Sequence, residues 1–251
     1  MDYYRRSNAL IIIQSSAIFV SDTHLTESEP EAINRFITFI EKDAFKHEAL
    51  FILGDLFDYW VGDDAGTFQE IKNALRELSK TIQIYFMSGN RDFLIGEKFL
   101  NSTQITSLPE PTVITLGNKK ALIMHGDSLC IDDFDYQNFR GLVRSNEWIE
   151  NFLKKPIQER LKICEELRAQ SENEKKNKTE LVMDVNNEAV EDILRKNNYP
   201  AYLIHGHTHR PNTHDYYIEN HYSQRWVLGD WHKNGNYILW KNNQLEFISI
   251  N

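Results

Sequence analysis

Five times along this chain of 251 residues a short apolar run breaks off into aspartate, histidine or asparagine, and that recurrence constrains the fold more than anything else. The runs Ala17 to Ser21, Ala49 to Leu53, Ile82 to Met87, Ala121 to Met124 and Ala201 to Ile204 have the length of strands and are too short for buried helices. They lead into Asp22-Thr23-His24, Gly54-Asp55-Leu56-Phe57-Asp58, Gly89-Asn90-Arg91-Asp92, His125-Gly126-Asp127 and Gly206-His207-Thr208-His209. Open α/β sheets bind ligands at the carboxyl ends of their strands, so five such ends side by side predict one polar site at a sheet margin. Glycine beside the polar residue in four of the five lets backbone approach closely.

The stretches between these runs fit an α/β fold with a parallel sheet core. After Pro30, Ile33, Phe36, Ile37 and Ile40 recur at helical spacing, and Phe68, Ile71, Leu75 and Leu78 do the same before the third strand. Val113 to Leu116 and Ala121 to Met124, split by Gly117-Asn118, predict a hairpin. A helix around Asn187 to Lys196 precedes further strands at Trp226 to Leu228, Tyr237 to Trp240 and Leu245 to Ile250.

Strand signals vanish between Asp132 and Thr179. There Trp148, Ile149, Phe152, Leu153, Ile157 and Leu161 recur about every fourth position in a charged background, which predicts a helical insertion. The apolar face either packs on the core or holds an apolar ligand. From Arg140 to Lys178 ten Lys/Arg stand against seven Asp/Glu, so the insertion is locally basic although the whole chain carries −9. With no repeat and no Gly/Ser linker, residues 1–251 read as a single domain carrying this insertion over about 132–179.

The acidic balance argues against a nucleic-acid binder, which needs a basic field. No apolar run approaches the roughly 18 residues of a membrane-spanning helix, and Ala9 to Ile13 after Arg5 and Arg6 is too short for a signal-peptide core. Two cysteines, Cys130 and Cys164, sit outside any CxxC spacing, so a cytoplasmic protein without a disulfide framework is expected.

Imidazole, carboxylate and amide oxygen suit borderline or hard divalent ions such as Mn, Fe, Zn or Co, and thiolate is absent from the set. A carboxylate such as Asp55 can bridge two ions roughly 3.5 to 4 Å apart, the arrangement that activates water and stabilises attacking and leaving oxygens on phosphorus.

The succession DxH, GDxxD, GN(R/H)(D/E), a later His-Gly and GHxH resembles the calcineurin-like metallophosphoesterases, and the resemblance covers most of the chain. It implies a β-sandwich flanked by helices and two divalent ions. One would take Asp22, His24, Asp55 and His209; the other Asp55, Asn90, His125 and His207.

Gly54 to Trp60, Gly89 to Leu94, His125 to Asp133 and Met183 to Asn186 are similar, more narrowly, to the UDP-2,3-diacylglucosamine diphosphatase family of lipid A biosynthesis in Gram-negative bacteria. That resemblance implies Mn2+-assisted hydrolysis of the substrate's pyrophosphate by water attack on the α-phosphorus, yielding UMP and the lipid monophosphate. The insertion becomes a lid that grips the sugar and houses acyl chains.

The resemblance assigns catalysis to Asp55, Asn90, Arg91 and His125, and substrate contacts to Asn90, Arg91, Asp133, Ser171, Lys178 and His207, with Lys175 where the family carries asparagine. Arg91 stands where many relatives place a histidine. Its fixed charge cannot donate a proton usefully and suits holding phosphate oxygens. The implied partners are an amphiphilic nucleotide-sugar lipid and the anionic cytoplasmic face of the inner membrane, met peripherally, with no obligate protein partner. Residues 1–16 precede that family's usual first strand and receive no role.

Two other readings differ in what they explain. A protein phosphatase, dinucleoside tetraphosphatase or cyclic nucleotide diesterase would share the metal site but leave the apolar, basic insertion without a purpose. A binding scaffold of this fold would have lost metal ligands, whereas here every ligand position is filled.

Overall fold

The computed structural model describes residues 10–177, 182–232 and 235–250, and of 172–177 the backbone alone. The described strands are β1 (Ile12–Ile13), β2 (Ser16–Val20), β3 (Ala49–Leu53), β4 (Gln83–Met87), β5 (Thr106–Ser107), β6 (Thr112–Leu116), β7 (Lys119–Ile123), β8 (Tyr202–His205), β9 (Asn212–Ile218), β10 (His221–Val227), β11 (Asn236–Lys241) and β12 (Gln244–Ser249). They form two six-stranded sheets, ordered β1-β6-β7-β8-β10-β9 and β12-β11-β2-β3-β4-β5. In the second sheet β2 to β5 run parallel, joined by helices α1 (Pro30–Lys42), α2 (Gln69–Leu78) and α3 (Glu97–Thr103).

β2 and β3 are buried along their whole length because both faces are covered, which is why their sequences are continuously apolar. Ile18, Val20, Leu50 and Ile52 meet the helices with Phe36 and Ile71. Ala17, Phe19, Phe51 and Leu53 meet the other sheet with Ile114 and Leu203. The Phe19 and Phe51 rings stack at 5.0 Å within this inter-sheet layer. Parallel strands put all their C-terminal ends on one side, and β7 and β8, also parallel to each other, bring theirs to meet them.

Besides α3 and β5, which the sequence reading did not mark, two elements of the first sheet depart from it. Ile12–Ile13 pairs in parallel with β6, Ile11 and Ile13 are buried, and Glu48 Oε2 accepts from the Gln14 and Ser15 amides at 2.9 and 2.8 Å. The segment just ahead of β2 is thus a structural margin of the first sheet, while residues 1–9 lie outside the described residues. Trp226 to Leu228 is the end of a longer strand, β10, and its antiparallel partner β9 was not foreseen. β9 lies at the sheet edge and keeps most of its side chains in water, so it lacks the apolar signature of its neighbours.

Between β7 and β8 come helices α4 (Phe134–Val143), α5 (Asn146–Leu153) and α6 (Ile157–Asn177), followed by α7 (Asn187–Lys196) against the inter-sheet core. Asp133 and Ser145 cap α4 and α5 by accepting from the Tyr136 and Trp148 amides. The apolar face of α5 splits. Phe152 is 2% exposed against the helix-side core, Trp148 stacks on it at 4.7 Å, and Leu153 faces water.

Two arginines of α6 tie it back to the sheet. Arg160, itself 2% exposed, donates to Val61 O and makes a two-point pair with Asp64 at 2.8 and 2.5 Å; Arg168 pairs with Asp58.

Candidate active site

All seven residues singled out at the strand ends converge on one buried spot. Asp22 and His24 follow β2, Asp55 follows β3, Asn90 follows β4, His125 follows β7, and His207 and His209 follow β8. Five of them have φ between 45° and 67°: Asp22, His24, Asp55, His207 and His209. Side chains rarely adopt this left-handed region, and such outliers collect where surrounding structure over-determines them for function. The glycines explain the tight approach. A Cβ on Gly89 would lie 2.1 Å from Asp55 Oδ1, and one on Gly206 would lie 2.3 Å from Asp22 Oδ2.

The donor atoms fall into two groups sharing one carboxylate. His209 Nε2 is 3.3 Å from Asp22 Oδ1 and 3.3 Å from His24 Nε2. His125 Nε2 and His207 Nδ1 lie 3.0 and 2.9 Å from Asn90 Oδ1. Asp55 stands between them, with Oδ2 3.9 Å from His24 Nε2 and Oδ1 3.8 Å from His125 Nε2. Asp22 Oδ1 is buried without any hydrogen-bond donor, although its Oδ2 accepts from Ser21 Oγ and the His207 amide. A buried carboxylate oxygen with no well-formed hydrogen bond, set among converging imidazole nitrogens, is costly unless positive charge completes the set, so the residues fit divalent ions.

The electrostatics say the same. Burial disfavours charge on His125, but Asp55 and Asp22 reverse this and lift its pKa to about 9. His209 is likewise lifted to about 9 against burial by Asp22 and Asp230. Burial and the neighbouring His125 push His207 down to about 3. The carboxylates therefore create a field that seeks positive charge. Backbone and acid partners also fix which nitrogens face inward. His125 Nδ1 donates to Leu53 O at 2.9 Å, and His209 Nδ1 faces Asp230 Oδ2 at 3.4 Å, leaving each Nε2 for the site.

Several supporting residues escaped the sequence reading. Asp230 follows Val227-Leu228-Gly229, a sixth apolar run that breaks off into a polar residue, again beside a glycine, and so was there to be found. Asp92 accepts from the Gly89 and Leu56 amides at 2.8 Å each, locking two ligand loops together; burial, then the nearby Asp55 charge, raises its pKa to about 7. Asp127 accepts from Tyr136 Oη, Arg140 Nε and Arg144 Nη2, and Arg144 Nη2 also donates to Gly89 O at 2.9 Å. Through these contacts α4 is joined to the loop that presents Asn90.

A cleft of about 230 Å³ opens over the ligands, and Arg91, Asp133, Ser171 and His207 line it as the sequence suggested. A second cavity of about 420 Å³ continues beneath α4 to α6, lined by rings and aliphatic chains such as Trp60, Phe93, Leu94, Trp148 and Leu167. Asn90, Arg91, Tyr136 and Ser171 border both. The side chain of Lys175 and all of Lys178 lie outside the described residues.

A two-sheet fold with these strand-end groups defines a metallophosphoesterase-type centre. The family model for calcineurin-like phosphoesterase matches residues 16–211, and the chain belongs to that family. Within it, the chain is 46% identical over 228 residues to the UDP-2,3-diacylglucosamine hydrolase of Aromatoleum aromaticum, covering 90% of this chain and 93% of that protein. It is 41% identical over 238 residues to the UDP-2,3-diacylglucosamine hydrolase of Photorhabdus laumondii, covering 93% and 98%.

Proposed function

We propose that this protein hydrolyses the pyrophosphate of UDP-2,3-diacylglucosamine, water attacking the α-phosphorus to give UMP and 2,3-diacylglucosamine 1-phosphate. The observation that carries the reading is that the ligand cleft and a larger, mainly apolar cavity share Asn90, Arg91, Tyr136 and Ser171 in their walls. A substrate with phosphates at one end and two acyl chains at the other needs that combination.

Asp22, His24, Asp55 and His209 would hold one divalent ion, and Asp55, Asn90, His125 and His207 the second; the mixed oxygen and nitrogen set suits Mn, Fe, Zn or Co, and the family resemblance singles out Mn2+. Bound there, the ions supply Lewis acidity and an activated water. The protein does the positioning. Arg91, whose amide donates to Asp55 Oδ1 at 2.8 Å, stands beside the ligands and neutralises phosphate oxygens as charge develops. Asp133, just before α4, and Ser171, on α6, both line the cleft and orient the sugar. The rings under α4 to α6 bury the acyl chains and exclude water.

Such a substrate resides in a bilayer, whereas no described helix is long and apolar enough to cross one. Phe134 and Leu142, on one face of α4, are 74% and 60% exposed, and with the basic background of the insertion they suit the surface of an anionic leaflet.

The test is hydrolysis of UDP-2,3-diacylglucosamine by purified protein with and without Mn2+ in oxygen-18 water. Metal-dependent release of labelled UMP is expected. Label in the lipid phosphate would overturn the site of attack, and no turnover by metal-loaded protein would overturn the substrate.

A further inference from the structure

His205, the last residue of β8, is buried completely, and the metal set does not use it. Its Nδ1 lies 2.9 Å from Gly206 O and its Nε2 lies 3.3 Å from Arg225 Nη1. On β10, Val227 pairs with His205, so Arg225, two residues earlier, shares the face of that histidine. A guanidinium carries donors and no acceptor, so Nε2 has to accept; the ring proton then sits on Nδ1 and is donated to Gly206 O. Arg225 itself is only 5% exposed. Its partners among the described residues are His205 and the face of the Tyr216 ring, 6.0 Å away, while its Nε has no hydrogen-bond partner. A cation buried against neutral groups is costly, which points to a use other than stability.

The use lies at Gly206. Its carbonyl also accepts from the Thr208 amide at 2.8 Å, and His207 between them has φ 67°. A bond spanning two residues around a positive central φ is the rarer, strained kind of γ-turn, and it holds only where the surroundings impose it. The Gly206 amide donates to His125 O at 2.9 Å, and a Cβ on Gly126 would lie 2.7 Å from His205 Nδ1. The imidazole therefore sits where the loops carrying His125 and His207 meet. We propose that His205 and Arg225 are positioning residues: Arg225 fixes the ring proton on His205 Nδ1, and that proton clasps Gly206 O so that the strained turn presents His207. The last step rests on the function proposed above, in which His207 holds the second ion.

The experiment compares wild type, Arg225→Met, His205→Leu and the double variant His205→Asn with Arg225→Met. Long-range proton–nitrogen spectra of the metal-free protein should find the His205 proton on Nδ1 in wild type and moved in part to Nε2 in Arg225→Met. Calorimetric titration with Mn2+ should show one of two sites weakened roughly tenfold in Arg225→Met and His205→Leu, the range seen when an outer partner of a ligand is lost. The double variant should recover most of that affinity, because an asparagine amide donates to Gly206 O without a guanidinium to orient it. The thermal midpoint of metal-free Arg225→Met should equal or exceed that of wild type, since a buried cation has gone. An unmoved ring proton or wild-type Mn2+ affinity in Arg225→Met would overturn the inference, and so would a fall in its midpoint, which would make the arginine a mere support of the fold. Should wild type take up only one ion, the metal reading of His207 would fall, while the ring proton and hydrogen exchange at the Thr208 amide would still judge the clasp.

Discussion

The ligand loops and the lid are held by different means. At the strand ends, five ligand residues sit in left-handed backbone, pinned by buried amide and carboxylate bonds such as those of Asp92. The lid is pinned by a handful of long side chains: Arg160 on Asp64, Arg168 on Asp58, and Arg144 on Asp127 and Gly89 O. The first arrangement fixes atoms to a fraction of an ångström, as chemistry on phosphorus requires. The second fixes the helical insertion that, on the proposed function, a bulky lipid has to pass. The difference teaches where rigidity is needed: a change in the loops should strike chemistry, and a change in the lid should strike binding.

Removing a shared or terminal ligand should have the largest effect. Asp55→Ala and Asn90→Ala should each lower kcat by roughly 10³-fold or more, with metal content falling below that of wild type. Near-normal activity in either purified variant would break the site assignment. Arg91→Ala should come next, slowing turnover by roughly 10²-fold with both metals retained. Metal loss there would show that Arg91 supports the loop instead of the phosphate.

Lid anchoring should matter less and differently. Asp64 is half exposed, so Asp64→Ala should remove about 1 kcal/mol and raise KM by about fivefold, leaving kcat and metal content alone. A fall in kcat without a change in KM would erase the distinction between the two regions. The smallest effect on chemistry is expected from Phe134→Asp combined with Leu142→Asp. Sedimentation with anionic vesicles should be lost, and with wild type it should weaken as salt rises, while hydrolysis of a short-chain, detergent-dispersed substrate stays within about twofold. Vesicle binding that survives the double change would place the membrane face elsewhere.

The same contrast explains what could be read from the sequence. Each ligand follows its own apolar run by one to three residues, so Asp22, Asp55, Asn90, His125 and His207 announce themselves locally. Asp230 obeys that rule and was passed over because only Gly229 and one acid mark it. The lid's helices and its apolar face were legible from periodicity, but the fate of that face was not: Phe152 serves the core, Trp148 serves core and cavity together. Its fastenings were invisible. Arg160 and Asp64 stand 96 positions apart and Arg168 and Asp58 110 apart, and nothing in local pattern couples residues so distant. Strand β9 was missed for a physical reason of its own, since an edge strand bathed in water has no need of apolar alternation.

The left-handed ligand positions carry one more consequence, an evolutionary one. Each such residue costs roughly 1–3 kcal/mol in a chain that folds without its ions. Selection for hydrolysis keeps Asp22, His24, Asp55, His207 and His209 where glycine or asparagine would rest more easily. A descendant that abandoned the chemistry would be free to relax all five, and the unfolding free energy of its metal-free form should exceed that of its catalytic ancestor.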